Sequence, residues 1–123
     1  MKVMLTGCFG FIGFNFLRSI QQNFPNDFEI IGIDNLNNKY SKINSTNYKN
    51  KNFTFIELDI NDINEIDIKA IKNLDLIINF AAESHVDTSI YNPKAFIHSN
   101  ISGVQSILDF CKDNSSTRLI QLS

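Results

Sequence analysis

Short apolar runs alternate along the chain with stretches in which apolar residues recur every three or four positions. The apolar runs predict five β-strands, at residues 2–6, 28–34, 53–58, 74–80 and 118–122. The other stretches predict three helices, at residues 11–22, 62–72 and 93–111. Strands that alternate with helices are typical of parallel βαβ units with right-handed crossovers. We therefore expect an α/β fold, with a Rossmann-type doubly wound parallel sheet.

The pattern is weakest between the second and third strands and clearest in the last helix. Residues 35–52 are polar and irregular, and they predict a long loop with at most one short helical turn. The last helix begins near Pro93, a residue that suits a first helical turn. Its apolar residues alternate in steps of three and four, which predicts one buried face formed by Ile97, Ile101, Val104, Leu108 and Cys111.

The composition is that of one folded domain rather than of a disordered or membrane-spanning chain. Of the 123 residues 43% are hydrophobic, and no apolar run approaches the roughly 20 residues that cross a bilayer. Glycines interrupt the first residues too early for a signal peptide, so we expect a cytoplasmic protein without a membrane partner. A net charge of −2 with interspersed signs argues against a nucleic-acid partner. Two cysteines without a spacing pattern predict free thiols and no metal site.

Three glycines follow the first strand at spacings of three residues. They are Gly7, Gly10 and Gly13, and they lie at the predicted start of a helix. In a dinucleotide-binding loop one glycine permits the tight turn, another lets the backbone approach a pyrophosphate, and the third lets the helix pack closely on the strand. The positive end of the helix dipole favours the anion. A purely structural turn is the alternative, and the strand-loop-helix context favours the phosphate site.

Two aspartates follow the next two strands at positions that suit the adenosine half of a dinucleotide. Asp34 closes the second strand roughly 20 residues after the glycines, where an acid accepts hydrogen bonds from the ribose. A carboxylate there repels a 2′-phosphate and so favours NAD over NADP; the alternative is an Asp-Asn turn. Asp59 and Ile60 follow the third strand, where they could contact adenine or where Asp59 could simply cap a helix.

A cluster of small and ionisable side chains follows the fourth strand. This mostly apolar strand, typical of one buried on both faces, runs into the sequence AAESHVDTSI at residues 81–90. Ligands bind outside the carboxyl ends of strands in open α/β sheets, so the segment predicts one wall of a ligand site. Glu83 and Asp87 could act as a paired acid and base, or could orient and fix the loop.

Three segments together resemble the extended short-chain dehydrogenase/reductase family of nucleotide-sugar enzymes. They are TGCFGFIG at residues 6–13, LDIND at residues 58–62 and AAESHVDTSI, and the resemblance covers essentially the whole chain. Residues 83–90 look most like the dTDP-glucose 4,6-dehydratases of this family. Two departures leave the branch open: Cys8-Phe9 replaces the usual Gly-Ala pair, and DNLNN at residues 34–38 looks closer to uronate epimerases.

The resemblance implies NAD as the cofactor and a nucleotide sugar, such as dTDP-glucose, as the substrate. It places NAD against residues that follow the strands and against one position in the last helix. These residues are Phe11, Ile12, Asp34, Asn35, Leu36, Asn37, Asp59, Ile60, Phe80, Ala81, Ala82, Glu83, Ser84 and Ser99. Ser84 would also touch the sugar nucleotide, as would His85 unless it only hydrogen-bonds its own loop.

The resemblance also implies that the catalytic residues lie outside this chain. In the family, a hydride moves from carbon 4 of the sugar to NAD, water is lost across carbons 5 and 6, and the hydride returns to carbon 6. The proton-transferring groups resemble a Thr-Asp-Glu run and a Tyr-x-x-x-Lys helix, and neither is found in residues 1–123. We therefore expect the N-terminal part of an NAD-binding Rossmann domain, truncated after the fifth strand, without a substrate domain or catalytic residues and inactive alone.

For the longer protein the resemblance implies an NAD-dependent lyase that forms a homodimer. One alternative is an NAD-dependent nucleotide-sugar epimerase or decarboxylase of the same family. The other, from a different class, is a non-catalytic dinucleotide-binding module.

Overall fold

The structure, a computed structural model, describes residues 1–66, 71, 73–81 and 93–122, and only the backbone of residues 95, 96, 98 and 99. In this part of the chain, five strands form one sheet: β1 (Lys2–Thr6), β2 (Glu29–Asp34), β3 (Phe53–Glu57), β4 (Leu76–Asn79) and β5 (Arg118–Gln121). The α-helices are α1 (Phe11–Asn23), α2 (Lys39–Thr46), α3 (Pro93–Ile97) and α4 (Gly103–Asp113). A 3₁₀ helix covers Ile60–Glu65, and a π-helical turn, His98–Ser102, joins α3 to α4.

The sheet has the strand order β3-β2-β1-β4-β5, and every neighbouring pair is parallel. Thr6, at the end of the central strand β1, pairs with Ile33 of β2 on one side and with Asn79 of β4 on the other. The chain runs outward through β2 and β3 and then returns to β4, so the order reverses at β1. Ligands bind at such a switch point, outside the carboxyl ends of the strands. The predicted doubly wound, Rossmann-type sheet is confirmed.

Each face of the sheet carries its own core, because successive side chains of a strand point to opposite faces. One core lies on the α1 face and is formed by Val3, Leu5, Cys8, Phe9, Leu17, Ile30 and Ile78. The other lies on the face of the 3₁₀ helix and α4 and includes Met4, Ile31, Ile33, Ile63, Ile77, Ile107 and Phe110. Both faces of the strands are therefore covered, as parallel sheets require. None of the helices in the described ranges is long and apolar enough to span a membrane.

Helix α2 occupies a segment for which the sequence pattern predicts a loop with at most one short helical turn. Asn38 begins the helix, since its Oδ1 accepts a hydrogen bond from the backbone N–H of Ser41 at 2.9 Å. Such a cap satisfies an amide that the first helical turn leaves free. Ser41 is the one buried residue of this eight-residue helix, so apolar spacing gives no signal for it. The asparagine cap was the signal in the sequence.

The last predicted helix is not continuous, and its predicted buried face is wrong. The π-helical turn widens the helix locally and so changes which residues align along its axis. Three residues of the predicted face, Ile97, Ile101 and Leu108, are 49%, 63% and 48% exposed. Ile107 and Phe110 are the buried apolar residues of α4 instead, and α4 packs against the 3₁₀ helix.

That 3₁₀ helix lies at the start of the predicted helix 62–72. Residues 67–70 and 72 of the predicted helix lie outside the described residues.

Gln21 lies on the buried face of α1 with an amide that makes no hydrogen bond to any described residue. A buried amide without a partner costs free energy, because its hydrogen bonds to water are lost. We expect Gln21→Met to raise the free energy of unfolding by about 1 kcal/mol, which corresponds to roughly 4 °C in Tm. Thermal unfolding followed by circular dichroism measures the change. The neighbouring Gln22 is exposed, so Gln22→Met is the control and should leave Tm unchanged.

Candidate functional site

The glycine loop leaves the carboxyl end of β1 and is held by backbone hydrogen bonds to the end of β2. The N–H of Gly7 donates to the carbonyl oxygen of Ile33 at 2.7 Å, and the N–H of Cys8 donates to the same oxygen at 3.3 Å. The N–H of Gly10 donates to the carbonyl oxygen of Gly7 at 3.1 Å. These loop amides already have acceptors within the protein. The groups available to an anion must therefore come from the residues that follow.

Two of the three glycines occupy positions that admit no side chain. Gly7 has a φ of +67°, and a Cβ there would lie 2.7 Å from the backbone nitrogen of Ala81. A Cβ on Gly13 would lie 2.1 Å from the carbonyl oxygen of Gly7. Gly10 differs, since its Cβ would be 3.4 Å from that same oxygen, which is ordinary contact. Gly7 thus lets β1 approach the end of β4, and Gly13 lets α1 approach the turn, as the spacing predicts.

The first turn of α1 presents free backbone amides to the carboxyl edge of the sheet. Its N-cap is Gly10, no side chain caps it, and no acidic residue lies in its first turn. Among the described residues, the N–H groups of Phe11, Ile12 and Gly13 have no acceptor. Phe11 is 83% exposed and Ile12 is 52% exposed, so apolar surface lies beside these amides. A helix start of this kind favours a bound anion.

Asp34 provides a fixed acceptor that is hydrogen-bonded to the glycine loop leading into that helix. Its Oδ2 accepts a hydrogen bond from the N–H of Phe9 at 3.1 Å, and its Oδ1 accepts one from the N–H of Leu36 at 2.9 Å. The residue is only 7% exposed. Each carboxylate oxygen has two lone-pair sites, so each can accept one further donor. The predicted alternative, an Asp turn, is thus present as well, because Oδ1 binds the amide two residues on.

Burial raises the pKa of Asp34 and that of the neighbouring Cys8. Desolvation raises the pKa of Asp34, although the amides of Leu36 and Phe9 partly offset this by stabilising the charged form. Desolvation, together with the charge of Asp34, raises the pKa of the Cys8 thiol far above its usual range. Cys8 is therefore a protonated, buried thiol, and both cysteines are free, as predicted. No group of three or more metal-ligating side chains occurs in the described ranges.

The segment after Asp34 forms a wall made of local turns. Asn35 Oδ1 accepts a hydrogen bond from the N–H of Asn37 at 3.2 Å. Leu36 has a φ of +54°, a left-handed conformation that costs side-chain-bearing residues roughly 1–2 kcal/mol. The side chain of Leu36 packs into the core on the α1 face, so its contact with a ligand in the cleft would have to come from its backbone.

Asp59 has the capping role that the sequence analysis left open. Its Oδ1 accepts hydrogen bonds from the backbone N–H of Asn61 at 2.9 Å and from Asn61 Nδ2 at 2.8 Å, and it begins the 3₁₀ helix. The side chain of Ile60 is buried in the core of that face. Both residues nevertheless line the cleft described next, so the cap and a ligand contact are compatible.

Asn79 was missed by sequence reasoning, although it joins the ends of three strands. It is 1% exposed, and its Oδ1 accepts hydrogen bonds from the hydroxyl of Thr6 and from the N–H of Ala81. Its Nδ2 donates to Gln121 Oε1 at 2.8 Å, and Gln121 Nε2 donates to the carbonyl oxygen of Leu122. The backbone N–H of Ala81 can only donate, so it fixes the orientation of the amide. The only signal in the sequence was a polar asparagine inside an otherwise mostly apolar predicted strand.

These elements enclose one cleft at the carboxyl ends of the strands. It is lined by Gly7, Gly10, Asp34, Asn35, Asn37, Asn38, Ser41, Leu58, Asp59, Ile60, Phe80 and Ala81. Most of these residues are among those predicted from the sequence, and Asn38, Ser41 and Leu58 are additions. Ala82, Glu83, Ser84 and His85 lie outside the described residues, and Ser99 belongs to the π-helical turn, where only its backbone is described.

A larger cavity, of about 470 Å³, lies at the opposite edge of the sheet among Met1, Lys2, Asn26, Asp27, Phe28, Glu29, Asn52, Asn73 and Asp75. It sits at the amino ends of β1 and β2. Ligands of open α/β sheets bind at the carboxyl ends instead. Size therefore does not identify the site, and the cleft at the glycine loop is the candidate.

The fold and this cleft define the class of the protein as a Rossmann-type domain of an extended short-chain dehydrogenase/reductase. A family model described as GDP-mannose 4,6 dehydratase matches residues 4–123, and the chain belongs to this family. The family comprises nucleotide-sugar 4,6-dehydratases and epimerases. The resemblance seen in the sequence is confirmed at this level.

Individual relatives match nearly the whole of this chain but less than two fifths of their own length. The low-salt glycan biosynthesis protein Agl12 of Haloferax volcanii is 39% identical over 100% of this chain and 39% of Agl12. The crystal structure of DesIV, a dTDP-glucose 4,6-dehydratase from Streptomyces venezuelae with NAD and TYD bound, matches with a TM-score of 0.84 and 31% identity over 97% of this chain and 38% of DesIV. The UDP-Glc/GlcNAc 4-epimerase from Campylobacter jejuni matches with a TM-score of 0.76 and 29% identity, over 98% of this chain and 36% of the epimerase.

Proposed function

We propose that this chain binds NAD in the cleft at the glycine loop. The observation that carries the proposal is that Gly10, the N-cap residue at which α1 begins, and Asp34 line the same cleft. The free amides at the start of α1 are donors for an anion, and the buried carboxylate of Asp34 is an acceptor for hydroxyl groups. A dinucleotide offers both partners, a pyrophosphate and a ribose diol. The NAD bound in DesIV supports the same assignment.

Each wall of the cleft then has a distinct role toward the cofactor. The amides of Phe11, Ile12 and Gly13 would hold the pyrophosphate, and the exposed Phe11 and Ile12 side chains would lose apolar surface to the ligand. Asp34 would accept hydrogen bonds from the adenosine ribose, with Asn35 to Asn37 beside it and Asp59-Ile60 near adenine. Phe80 and Ala81 begin the wall for nicotinamide, which the sequence continues through Ala82, Glu83 and Ser84, with Ser99 nearby.

We further propose that the chain is the cofactor-binding part of a nucleotide-sugar 4,6-dehydratase acting on a dTDP-glucose-like substrate. When bound, NAD supplies the acceptance and return of a hydride. The residues of this chain bind and orient the cofactor, and Ser84 and His85 would touch the sugar nucleotide. No proton-transferring role falls to the described residues. The longer protein would be a homodimeric, cytoplasmic lyase.

Titration calorimetry of the folded 123-residue chain tests the NAD proposal directly. We expect saturable binding of NAD, with binding of NADP at least tenfold weaker, roughly the factor set by one unfavourable charge contact. Circular dichroism first establishes that the sample is folded. A folded chain that takes up neither dinucleotide would contradict the proposal. Equal affinity for both would contradict the role of Asp34.

A second candidate, a nucleotide-sugar epimerase of the same family, is favoured by the DNLNN run and by the likeness to the Campylobacter jejuni epimerase. Mass spectrometry of the product separates the two when the longer protein that contains this chain is incubated with dTDP-glucose. A dehydratase yields a product lighter by one water. An epimerase yields an isomer of unchanged mass, which chromatography separates from the unreacted substrate, and detection of that isomer would replace the dehydratase proposal.

A further inference from the structure

We propose that Phe9 is a positioning residue of the cofactor site. Its ring anchors the glycine loop in an aromatic cluster. Its backbone is hydrogen-bonded to the carboxylate of Asp34 and to the side chain of Asn44 in α2. The inference rests on the proposed binding of NAD and adds to it a residue that does not face the ligand.

The ring of Phe9 is enclosed although the residue belongs to a loop. Phe9 is 1% exposed. Its ring centroid lies 4.9 Å from that of Phe55 and 5.9 Å from those of Phe53 and Phe14, and 6.2 Å from that of Tyr48. Three of these contacts are edge-to-face, a favourable arrangement of aromatic rings. These five residues, the aromatic cluster, join the loop to α1, to β3 and to the segment after α2.

The backbone of Phe9 makes a hydrogen bond on each side of this anchor. Its N–H donates to Asp34 Oδ2 at 3.1 Å, and its carbonyl oxygen accepts a hydrogen bond from Asn44 Nδ2 at 2.8 Å. Asn44 lies in α2, the helix whose start lines the cleft. One residue therefore links the ring cluster, the ribose-binding carboxylate and the wall of the cleft.

The simpler interpretation is that Phe9 only fills the core. Replacing a residue that only fills the core would lower the stability of the fold, but the chains that remain folded would bind the ligand with unchanged affinity. Phe9 differs from Phe53 and Phe55, because those two residues lie in β3, whereas the backbone of Phe9 belongs to the glycine loop and donates a hydrogen bond to Asp34. Without its ring, the loop would sample orientations in which the N–H of residue 9 leaves Asp34. The free energy of NAD binding would then include the cost of ordering the loop.

Three variants separate positioning from stability. In Phe9→Ala the anchor is lost, and in Phe9→Leu an apolar side chain remains. In Phe53→Ala a ring of the same cluster is removed from β3, while Phe9 keeps its own ring. Calorimetry should show NAD affinity at least tenfold lower in Phe9→Ala, the effect of roughly one unordered residue. Phe9→Leu should recover most of the affinity. Phe53→Ala should bind NAD as the unmodified chain does, although its Tm is lower.

Hydrogen exchange at the amide of residue 9, measured by NMR in the absence of NAD, tests the positioning role independently. The amide is buried and bound to Asp34, so it should be protected in the unmodified chain and in Phe53→Ala, and unprotected in Phe9→Ala while the amides of β1 stay protected. Protection that survives in Phe9→Ala, or equal loss of NAD affinity in Phe9→Ala and Phe53→Ala, would overturn the inference. Absence of NAD binding in the unmodified chain would instead overturn the proposed function and leave the exchange result standing.

Discussion

Replacing Gly13 by alanine should unfold the site and abolish NAD binding. The added Cβ would lie 2.1 Å from the carbonyl oxygen of Gly7 and 3.3 Å from Cys8 Cα. Both neighbours are backbone atoms of a turn that is tied to β2, so neither can move without breaking hydrogen bonds. We expect a loss of at least about 3 kcal/mol in the free energy of unfolding, or roughly 10 °C or more in Tm.

Gly10→Ala is the matched control for this result. It adds the same methyl group three residues earlier, at a Cβ position 3.4 Å from the same carbonyl oxygen. Gly10 has a φ of −70°, which alanine adopts freely, so the cost should stay near 1 kcal/mol, about that of a poorer N-cap. Thermal unfolding of the two variants measures the difference in their stability. Equal stability of Gly13→Ala and Gly10→Ala would refute the close approach of α1 to the turn.

Asp34→Asn should weaken NAD binding while making NADP a better ligand relative to NAD. Hydrogen bonds to a charged acceptor contribute about 1.5–3 kcal/mol each, so losing the charge should raise the Kd for NAD by roughly 10- to 100-fold. The asparagine amide also turns a donor toward the N–H of Phe9 or Leu36, which already donate. Calorimetry with both dinucleotides gives the ratio of affinities. Asp27→Asn, at the opposite edge of the sheet, removes an equal charge and should change neither affinity.

The pH dependence of binding should follow from the raised pKa of Asp34. Ribose hydroxyls donate to the ionised carboxylate, so NAD affinity should fall as the pH drops through this raised pKa. Stability without NAD should respond in the opposite sense. Protonation is easier in the folded chain than in the unfolded one, so stability should decrease as the pH rises from the ordinary aspartate value through the raised pKa. Asp34→Asn should abolish both changes, and a pH-independent affinity in the unmodified chain would contradict the carboxylate's role.

The core of the site was predictable because it depends on local order along the chain. Gly7, Gly13 and Asp34 each stand at the junction of two elements whose periodicity is visible in the sequence, so their meeting follows from the sheet topology. Asn79 was not predictable in the same way. Its partners Thr6 and Gln121 are 73 and 42 residues away, and pairing at that separation depends on strand register.

The incorrect prediction for the last helix has a different cause. Spacing in steps of three and four assumes an uninterrupted α-helix, and the π-helical turn His98–Ser102 breaks that assumption. For α2 the opposite error occurred, since a loop was predicted where a helix forms. This helix buries a single serine and has no apolar stripe to detect. Both cases show that periodicity reports burial in a regular helix. It does not report the helix itself.

The strand order has a consequence for the time at which the cleft forms. The glycine turn, Asp34, α2 and Asp59 all lie on the β1-β2-β3 side of the sheet and come from the first 60 residues. The hydrogen bonds that join them, from Phe9 to Asp34 and from Asn44 to Phe9, span 25 and 35 residues and involve no residue of β4 or β5. During synthesis on the ribosome, the adenosine side of the cleft can therefore assemble while β4 and β5 are still to be translated. In the proposed NAD site, the adenosine half would therefore form before the nicotinamide half.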